Sequence, residues 1–102
     1  MIARDTFAGQ VGSAFRVVGG AFDSVELRLA EVTDGKAAPG YEVFSLFFHG
    51  PAGPRLDQAT YTMDHPALGT LALFLVPVGA LPGGVRYEAL FNRSRAEPSP
   101  TG

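Results

Sequence analysis

The side chains best suited to acid–base or metal chemistry are the two histidines, His49 and His65, together with Asp64. Neutral imidazole and carboxylate are common zinc ligands, so these three residues are the candidate site of a metal-assisted hydrolase. Their spacing follows no metal-binding motif. Polar residues are expected anyway where His49 ends an apolar stretch and His65 opens a turn. We therefore predict that no metal or other cofactor is bound.

Nucleophilic catalysis is predicted even less strongly than metal chemistry. Ser45 is the serine of most interest, because it interrupts an otherwise apolar stretch. A nucleophilic serine needs a base within hydrogen-bond reach, and no serine here stands in a Gly-x-Ser-x-Gly motif. The aspartates are scattered over predicted turns, where they favour local backbone hydrogen bonds. The sequence predicts no catalytic site, and we expect the protein not to be an enzyme.

Length and charge restrict the class of protein and of partner. A chain of 102 residues is one domain, and its 8 basic and 10 acidic residues nearly balance, with a single lysine, Lys36. A domain that binds nucleic acid normally concentrates lysine and arginine on one face, so no nucleic-acid partner is expected. No apolar stretch is long enough for membrane insertion, and no secretion signal is recognised. We expect synthesis in the cytoplasm, with a final place in a virion or an extracellular assembly.

Alternating apolar and polar residues, bounded by glycine, proline and aspartate, recur along the whole chain. This pattern is typical of strands rather than helices. Short connections between the strands favour an antiparallel meander, which must close into a barrel or a sandwich to bury its apolar face. The fold class is therefore all-β, with six strands predicted at 14–18, 24–32, 41–49, 58–64, 70–78 and 85–91.

One short helical turn is predicted near the N-terminus. Asp5 or Thr6 can cap it, Phe7 and Val11 share a face, and Gly12 can end it. At the other end of the chain, two prolines without apolar periodicity predict a solvated tail. The organisation is a single β domain over 1–93 and a C-terminal tail over 94–102.

Six residues lie on apolar alternating sets and are predicted to share one core. Each alternates with neighbours that are polar or belong to the opposite face of the strand. They are Leu27, Leu29, Phe47, Tyr61, Leu73 and Tyr87.

Two predicted strands, 41–49 and 70–78, are apolar on both alternating sets, whereas a small antiparallel sheet normally has one wet face. The excess predicts an exposed apolar patch that marks a partner surface, unless the helix or a long loop covers it. A one-residue change of register exchanges the two sets, so the sequence does not decide which set points outward. The candidate interface residues are Phe44, Leu46 and Phe48, or else Phe74 and Val76.

Several segments together resemble one family of small bacterial proteins, the domain of unknown function 6916. The resemblance covers about 6–93 and implies no activity and no catalytic motif. It does imply an assembly role, because members occur beside proteins similar to phage tail-collar or tail-fibre components. The segments are Phe7 to Phe15 with Gly12-Ser13 between, Phe44-Ser45-Leu46-Phe47-Phe48-His49-Gly50-Pro51, Thr60-Tyr61, His65-Pro66-Ala67-Leu68-Gly69, Phe74-Leu75-Val76-Pro77-Val78 and Tyr87-Glu88-Ala89-Leu90-Phe91-Asn92-Arg93.

Three functions follow in order of expectation. The first is a structural or interaction subunit of a homo-oligomeric or tail-fibre-like assembly, whose partner is a second copy or a tail-fibre-like protein. The second is a stand-alone module that binds a small apolar or saccharide ligand in the mouth of the barrel. The third is the metal-assisted hydrolase.

Overall fold

The computed structural model describes residues 2–94, which form one short helix and six strands. The all-β class is confirmed. The predicted start of the tail, Ser94, is the last residue of a strand, and positions 95–102 lie outside the described residues. The elements are α1 (Arg4–Ala8), β1 (Ala14–Val17), β2 (Glu26–Asp34), β3 (Tyr41–Pro51), β4 (Ala59–His65), β5 (Gly69–Leu81) and β6 (Gly84–Ser94).

The six strands close into a barrel in the order β1-β2-β3-β6-β5-β4, and every pair is antiparallel. Consecutive strands are neighbours within β1–β2–β3 and within β4–β5–β6, as a meander predicts. The connection from β3 to β4 departs from a simple meander, because β3 pairs with β6 and β4 pairs with β1. Closure lets both sets of three strands turn their apolar side chains toward one core.

The longest apolar strand, β3, turns Phe44, Leu46 and Phe48 into the barrel, where each is at most 1% exposed. The prediction that these three residues form the outward set is therefore wrong. Phe47, which was predicted in the core, lies on the opposite face and is only half-buried. Side chains alternate across a strand, so choosing the wrong inward set places all four residues on the wrong face.

The register with the flanking strands explains which face of β3 is inside. Phe48 lies directly between Leu29 of β2 and Tyr87 of β6, and both of these are fully buried. Directly paired residues point to the same face of a sheet, so all three share the core. The core positions of Leu27, Leu29, Leu73 and Tyr87 are confirmed, whereas Tyr61 is only partly buried against the core.

The helix begins earlier and ends sooner than predicted. Its N-cap is Ala3, no side chain caps it, and it ends at Gly9 rather than Gly12. Val11 consequently lies outside the helix and is 48% exposed, while Phe7 is buried. No helix within the described chain has the length and apolar content that crossing a membrane requires.

Side chains fill the barrel from end to end. At one end the Phe7 ring of α1 packs 5.5 Å from Phe91 and 6.2 Å from Phe44, measured between ring centroids. Toward the other end, the backbone N–H of Leu56 donates to the buried Tyr87 hydroxyl at 2.8 Å. Leu56 itself is fully buried, so the connection between β3 and β4 contributes to the core.

Two segments predicted as turns continue strands instead. Gly50 and Pro51 remain in β3 and pair with Val85 and Gly84. Residues 79–81 remain in β5 beyond a bulge, so that a two-residue turn joins β5 to β6. Pro51 pairs with β6 on one side only, because the pairing of β3 with β2 ends at His49, and a proline is tolerated at such a local edge.

Candidate interaction surface

The three candidate metal ligands are not brought together. Asp64 and His65 are consecutive residues of β4, so their side chains point to opposite faces of the sheet. His65 is buried, whereas Asp64 accepts a hydrogen bond from the Thr70 hydroxyl at 2.6 Å on the outside. His49 lies on β3 beside Arg86. Within residues 2–94, no group of three or more metal-ligating side chains could hold an ion.

His65 and Ser13 make a contact that the sequence does not predict, and their side chains lie 2.8 Å apart. Nδ1 of His65 accepts from the backbone N–H groups of Ala67, at 3.0 Å, and Leu68, at 3.2 Å. The proton of the neutral ring is therefore on Nε2, which donates to the Ser13 oxygen. The Ser13 hydroxyl donates in turn to the Gln10 carbonyl at 2.6 Å. An imidazole nitrogen that donates a hydrogen bond to a serine cannot also accept the proton of that serine. The pair therefore stabilises the fold, and we call the contact between His65 and Ser13 the lock.

Replacing His65 by alanine should destabilise the fold without affecting any metal content. The ring is buried against Phe15, with centroids 4.5 Å apart, and its loss removes packing and leaves backbone donors unpaired. We expect a loss of about 2 kcal/mol in the free energy of unfolding, measured by urea denaturation. His49→Ala is the matched control and should cost less than about 1 kcal/mol, because His49 is only half-buried. Equal small losses in both variants would contradict the lock.

A depression of about 500 Å³ lies outside this lock and is lined by Arg16, Asp64, His65 and Thr70, among others. Arg16 and Asp64 form an ion pair across it at 3.6 Å, and both side chains are well exposed. An exposed pair of this kind contributes little energy and activates no group. The Asp64 carboxylate in this depression is already bound, because it pairs with Arg16 and accepts from the Thr70 hydroxyl.

Tyr61 stands beside a second shallow depression, near β1. Its hydroxyl donates to the Asp57 carbonyl at 2.5 Å, and its ring meets Phe22 edge-on. Burial, followed by the charge of Asp57, raises the pKa of Tyr61. The phenol therefore stays protonated at neutral pH, and its role is packing rather than proton transfer.

Ser45 binds a carboxylate rather than a histidine. Its hydroxyl donates to Glu88 at 2.6 Å, across the β3–β6 pair on the outer face of the barrel. The serine is 7% exposed. This bond links β3 to β6 beside the directly paired residues.

The outer face of β3, β6 and β5 carries a group of apolar side chains. Leu90 is 63% exposed, and Phe74 is 51% exposed on the neighbouring strand. Phe47 and Val76 flank the charged Glu88, one from each side, so one carboxylate lies within this group. We call this surface the outer apolar face and define it by Tyr41, Val43, Phe47, Phe74, Val76 and Leu90.

Charged side chains border one end of the outer apolar face. The Arg86 guanidinium lies 4.2 Å from the Phe47 ring centroid, in a cation–π contact. It also donates to Glu31 at 2.7 Å and lies 2.7 Å from His49 Nε2. These partners hold the arginine over the apolar ring, so both charge signs stand beside the apolar surface.

Of the candidate interface residues, Phe74 and Val76 lie on the outer apolar face, while Phe44, Leu46 and Phe48 lie in the core. An interface role for Phe74 and Val76 remains a prediction. Leu90 was not predicted as an interface residue. The sequence does indicate its exposure, because it is an apolar residue on the same alternating set as Arg86 and Glu88.

Comparison with known proteins adds one finding. The model of the family described as Domain of unknown function (DUF6916) matches residues 2–91, which is most of the chain and all of the barrel except the end of β6. No curated protein and no solved structure matches the chain. The match includes the segments that carry the outer apolar face. The chain belongs to the family described as Domain of unknown function (DUF6916).

Proposed function

We propose that the protein is a structural or interaction subunit that associates through its outer apolar face. The observation that carries this proposal is the exposure of Leu90 and Phe74, at 63% and 51%, on adjacent strands. Full burial of such a side chain is worth about 1.5–3 kcal/mol, so leaving both in water forgoes several kcal/mol. A group of exposed apolar side chains on one face of a protein marks an interaction site.

The partner that fits this face best is a second copy of the chain. Arg86 and Glu31 pair at one end of the face, so both charge signs stand beside its apolar side chains. A twofold contact joins the same patch of both copies, so the apolar side chains of one copy meet those of the other. The contact is therefore self-complementary in its apolar side chains.

The setting we propose is a tail-fibre-like assembly of a virion or a bacterial surface structure. This setting comes from the family resemblance, whose members occur beside proteins similar to tail-collar and tail-fibre components. A subunit of such an assembly must bind neighbours through preformed surfaces, and a filled barrel supplies a rigid one. The proposed role is not enzymatic, since the polar clusters that surround His65 and Ser45 hold structure together.

Ligand binding inside the barrel is less well supported. Phe7 plugs one end, and Tyr87 and Leu56 fill the other, so the described core has no open mouth of the kind predicted. A small apolar or saccharide ligand would need a pocket outside this core. The outer surface therefore supports association better than ligand storage.

Self-association is tested by light scattering coupled to gel filtration. We expect the wild-type chain to exceed its monomer mass of 10.7 kDa at high micromolar concentration. The double variant Phe74→Lys/Leu90→Lys should be monomeric, because two charges would have to be buried at the contact. Val11→Lys is the matched control, since Val11 is 48% exposed but lies outside the outer apolar face.

Two outcomes would overturn this proposal. One is a wild-type monomer at every concentration that also purifies alone from its native source. The other is a dimer that survives both lysines unchanged, which would place the contact on another surface. Circular dichroism of the double variant shows whether the fold is intact, which is expected because both positions are exposed.

A further inference from the structure

The pairing between β5 and β6 covers only half of each strand. β6 pairs with β3 along its entire length, from Gly84 to Ser94. It pairs with β5 only from Gly84 to Glu88. The first half of β5, over 69–75, pairs with β4 on its other side and with no residue of β6. The two strands therefore separate beyond Glu88, and the barrel has a slit between 69–75 of β5 and 89–94 of β6.

The slit leaves a strand edge without a strand partner. Among the described residues, no strand pairs with the second side of 89–94. Every second residue of an antiparallel strand directs its N–H and C=O to the same side. The segment thus presents a row of backbone donors and acceptors to the slit. Such an edge is a template for an additional strand.

Two other partly paired edges in the barrel carry features that hinder strand addition. The end of β2 is held to α1 by the Arg4–Asp34 ion pair at 2.9 Å. The second half of β5 contains Pro77, which has no N–H, and a bulge between Pro77 and Gly79. Proline, bulges and covering segments are the usual protections of a sheet edge. The β6 edge over 89–94 has neither a proline nor a bulge.

The floor of the slit is apolar. It forms a groove of about 320 Å³ whose lining includes Phe7, Leu71, Leu73 and Phe91. Arg93 also lines the groove, but its guanidinium is bound by Glu42 at 2.9 Å and by the Ile2 carbonyl at 2.8 Å. The charge of the groove is therefore already compensated, and the groove favours uncharged apolar side chains.

We propose that the slit binds an extended peptide segment of a partner protein, which adds as a strand to the 89–94 edge of β6. This inference rests on the proposed function and deepens it, because it names the kind of partner segment. The occupant has apolar side chains at every second position, which enter the groove, and polar ones between them. About six residues, or about 20 Å of extended chain, would span the edge.

A lone peptide fits this slit better than a strand of a second barrel. The first half of β5 forms the opposite wall of the slit, with Leu71 and Leu73 lining the groove. A strand that already belongs to a sheet has a neighbouring strand, and this neighbour would collide with the β5 wall of the slit. An isolated segment has no such neighbour, and peptide recognition by strand addition uses this arrangement.

Hydrogen exchange of the free protein tests the edge itself. Amides of 84–88 lie between two paired strands, whereas alternate amides of 89–94 face the slit. We expect these alternate amides to exchange at least about tenfold faster than their neighbours in β6. Uniform protection from 84 to 94 would show that the edge is already covered and would overturn the proposal.

Binding is tested with a capped hexapeptide in which threonine and valine alternate. We expect millimolar peptide to slow exchange of the fast amides. Methylation of the backbone nitrogens of one alternating set, the threonines or the valines, should weaken binding at least about tenfold more than methylation of the other set. Ala72→Lys, at the lip of the groove, should weaken binding similarly. Thr62→Lys is the matched control, because Thr62 is exposed and pairs directly with Ala72 on the side away from the slit.

The outcomes separate this inference from self-association. Binding without amide protection, or binding unaffected by methylation, would indicate an apolar ligand site and would overturn strand addition. No binding at millimolar peptide would also overturn it. Light scattering on the same samples reports self-association separately, so a monomer that binds the peptide contradicts only the twofold contact, and a dimer that ignores it contradicts only the slit.

Discussion

Phe48→Ala should lose about 3–5 kcal/mol of unfolding free energy, a large share of the total stability of a small domain. Phe48 is fully buried and packs edge-on against Phe15, with ring centroids 5.1 Å apart. It also lies between Leu29 and Tyr87 in the sheet. Removing the ring leaves a cavity among side chains that the closed barrel holds in place.

The matched control is Phe47→Ala, one residue earlier on the same strand. Phe47 is half-buried and its ring contacts Arg86 on the outside, so its truncation should cost about 1 kcal/mol. Both variants are compared by urea denaturation with circular dichroism detection. Should Phe48→Ala be unfolded without urea, Phe48→Leu supplies a smaller loss of the same sign. A larger loss for Phe47→Ala than for Phe48→Ala would reverse the assignment of faces.

The comparison of these two residues also shows what the sequence could and could not predict. The first four residues of β2 alternate strictly, with Leu27 and Leu29 buried and Glu26 and Arg28 exposed, and the inward set was predicted correctly. Residues of β3 are apolar on both faces, so a period-two pattern carries no information about which face is inside. Only pairing with β2 and β6 decides it, and pairing is a tertiary property.

The candidate site was predictable in kind but not in place. Apolar excess on 41–49 and 70–78 predicted an exposed surface, and Phe74 and Val76 do point outward. The slit depends on where β6 leaves β5, which local patterns do not encode. Likewise, the contact between Ser13 and His65 joins residues 52 positions apart and follows from the pairing of β1 with β4.

Strand ends were the least predictable feature, and they matter most at the turn between β5 and β6. Glycine and proline over 79–84 predicted a six-residue turn, yet 79–81 and Gly84 belong to strands. Gly83 has a φ of 74°, which a two-residue hairpin turn accommodates readily. The other two glycines of this segment, Gly79 and Gly84, therefore lie in strands rather than in the turn.

Gly84→Ala should cost about 3 kcal/mol, because Gly84 is required by close approach of two backbones. A Cβ placed on Gly84 would lie 2.6 Å from the carbonyl oxygen of Gly50, the residue before its β3 partner Pro51. A backbone oxygen in a paired strand cannot rotate away as a side chain can. The strands must separate instead, at the cost typical of an overpacked core or slightly more.

Gly79→Ala is the control on the opposite strand of the same hairpin. A Cβ on Gly79 would meet nothing within 4 Å, and this residue is not among the glycines with positive φ. We expect no loss of stability, or a gain of about 0.4–1 kcal/mol from the restricted unfolded chain. Urea midpoints of the two variants measure the difference. Similar midpoints for both would mean that β3 and β6 are not held as closely at Gly50 and Gly84 as the paired register requires.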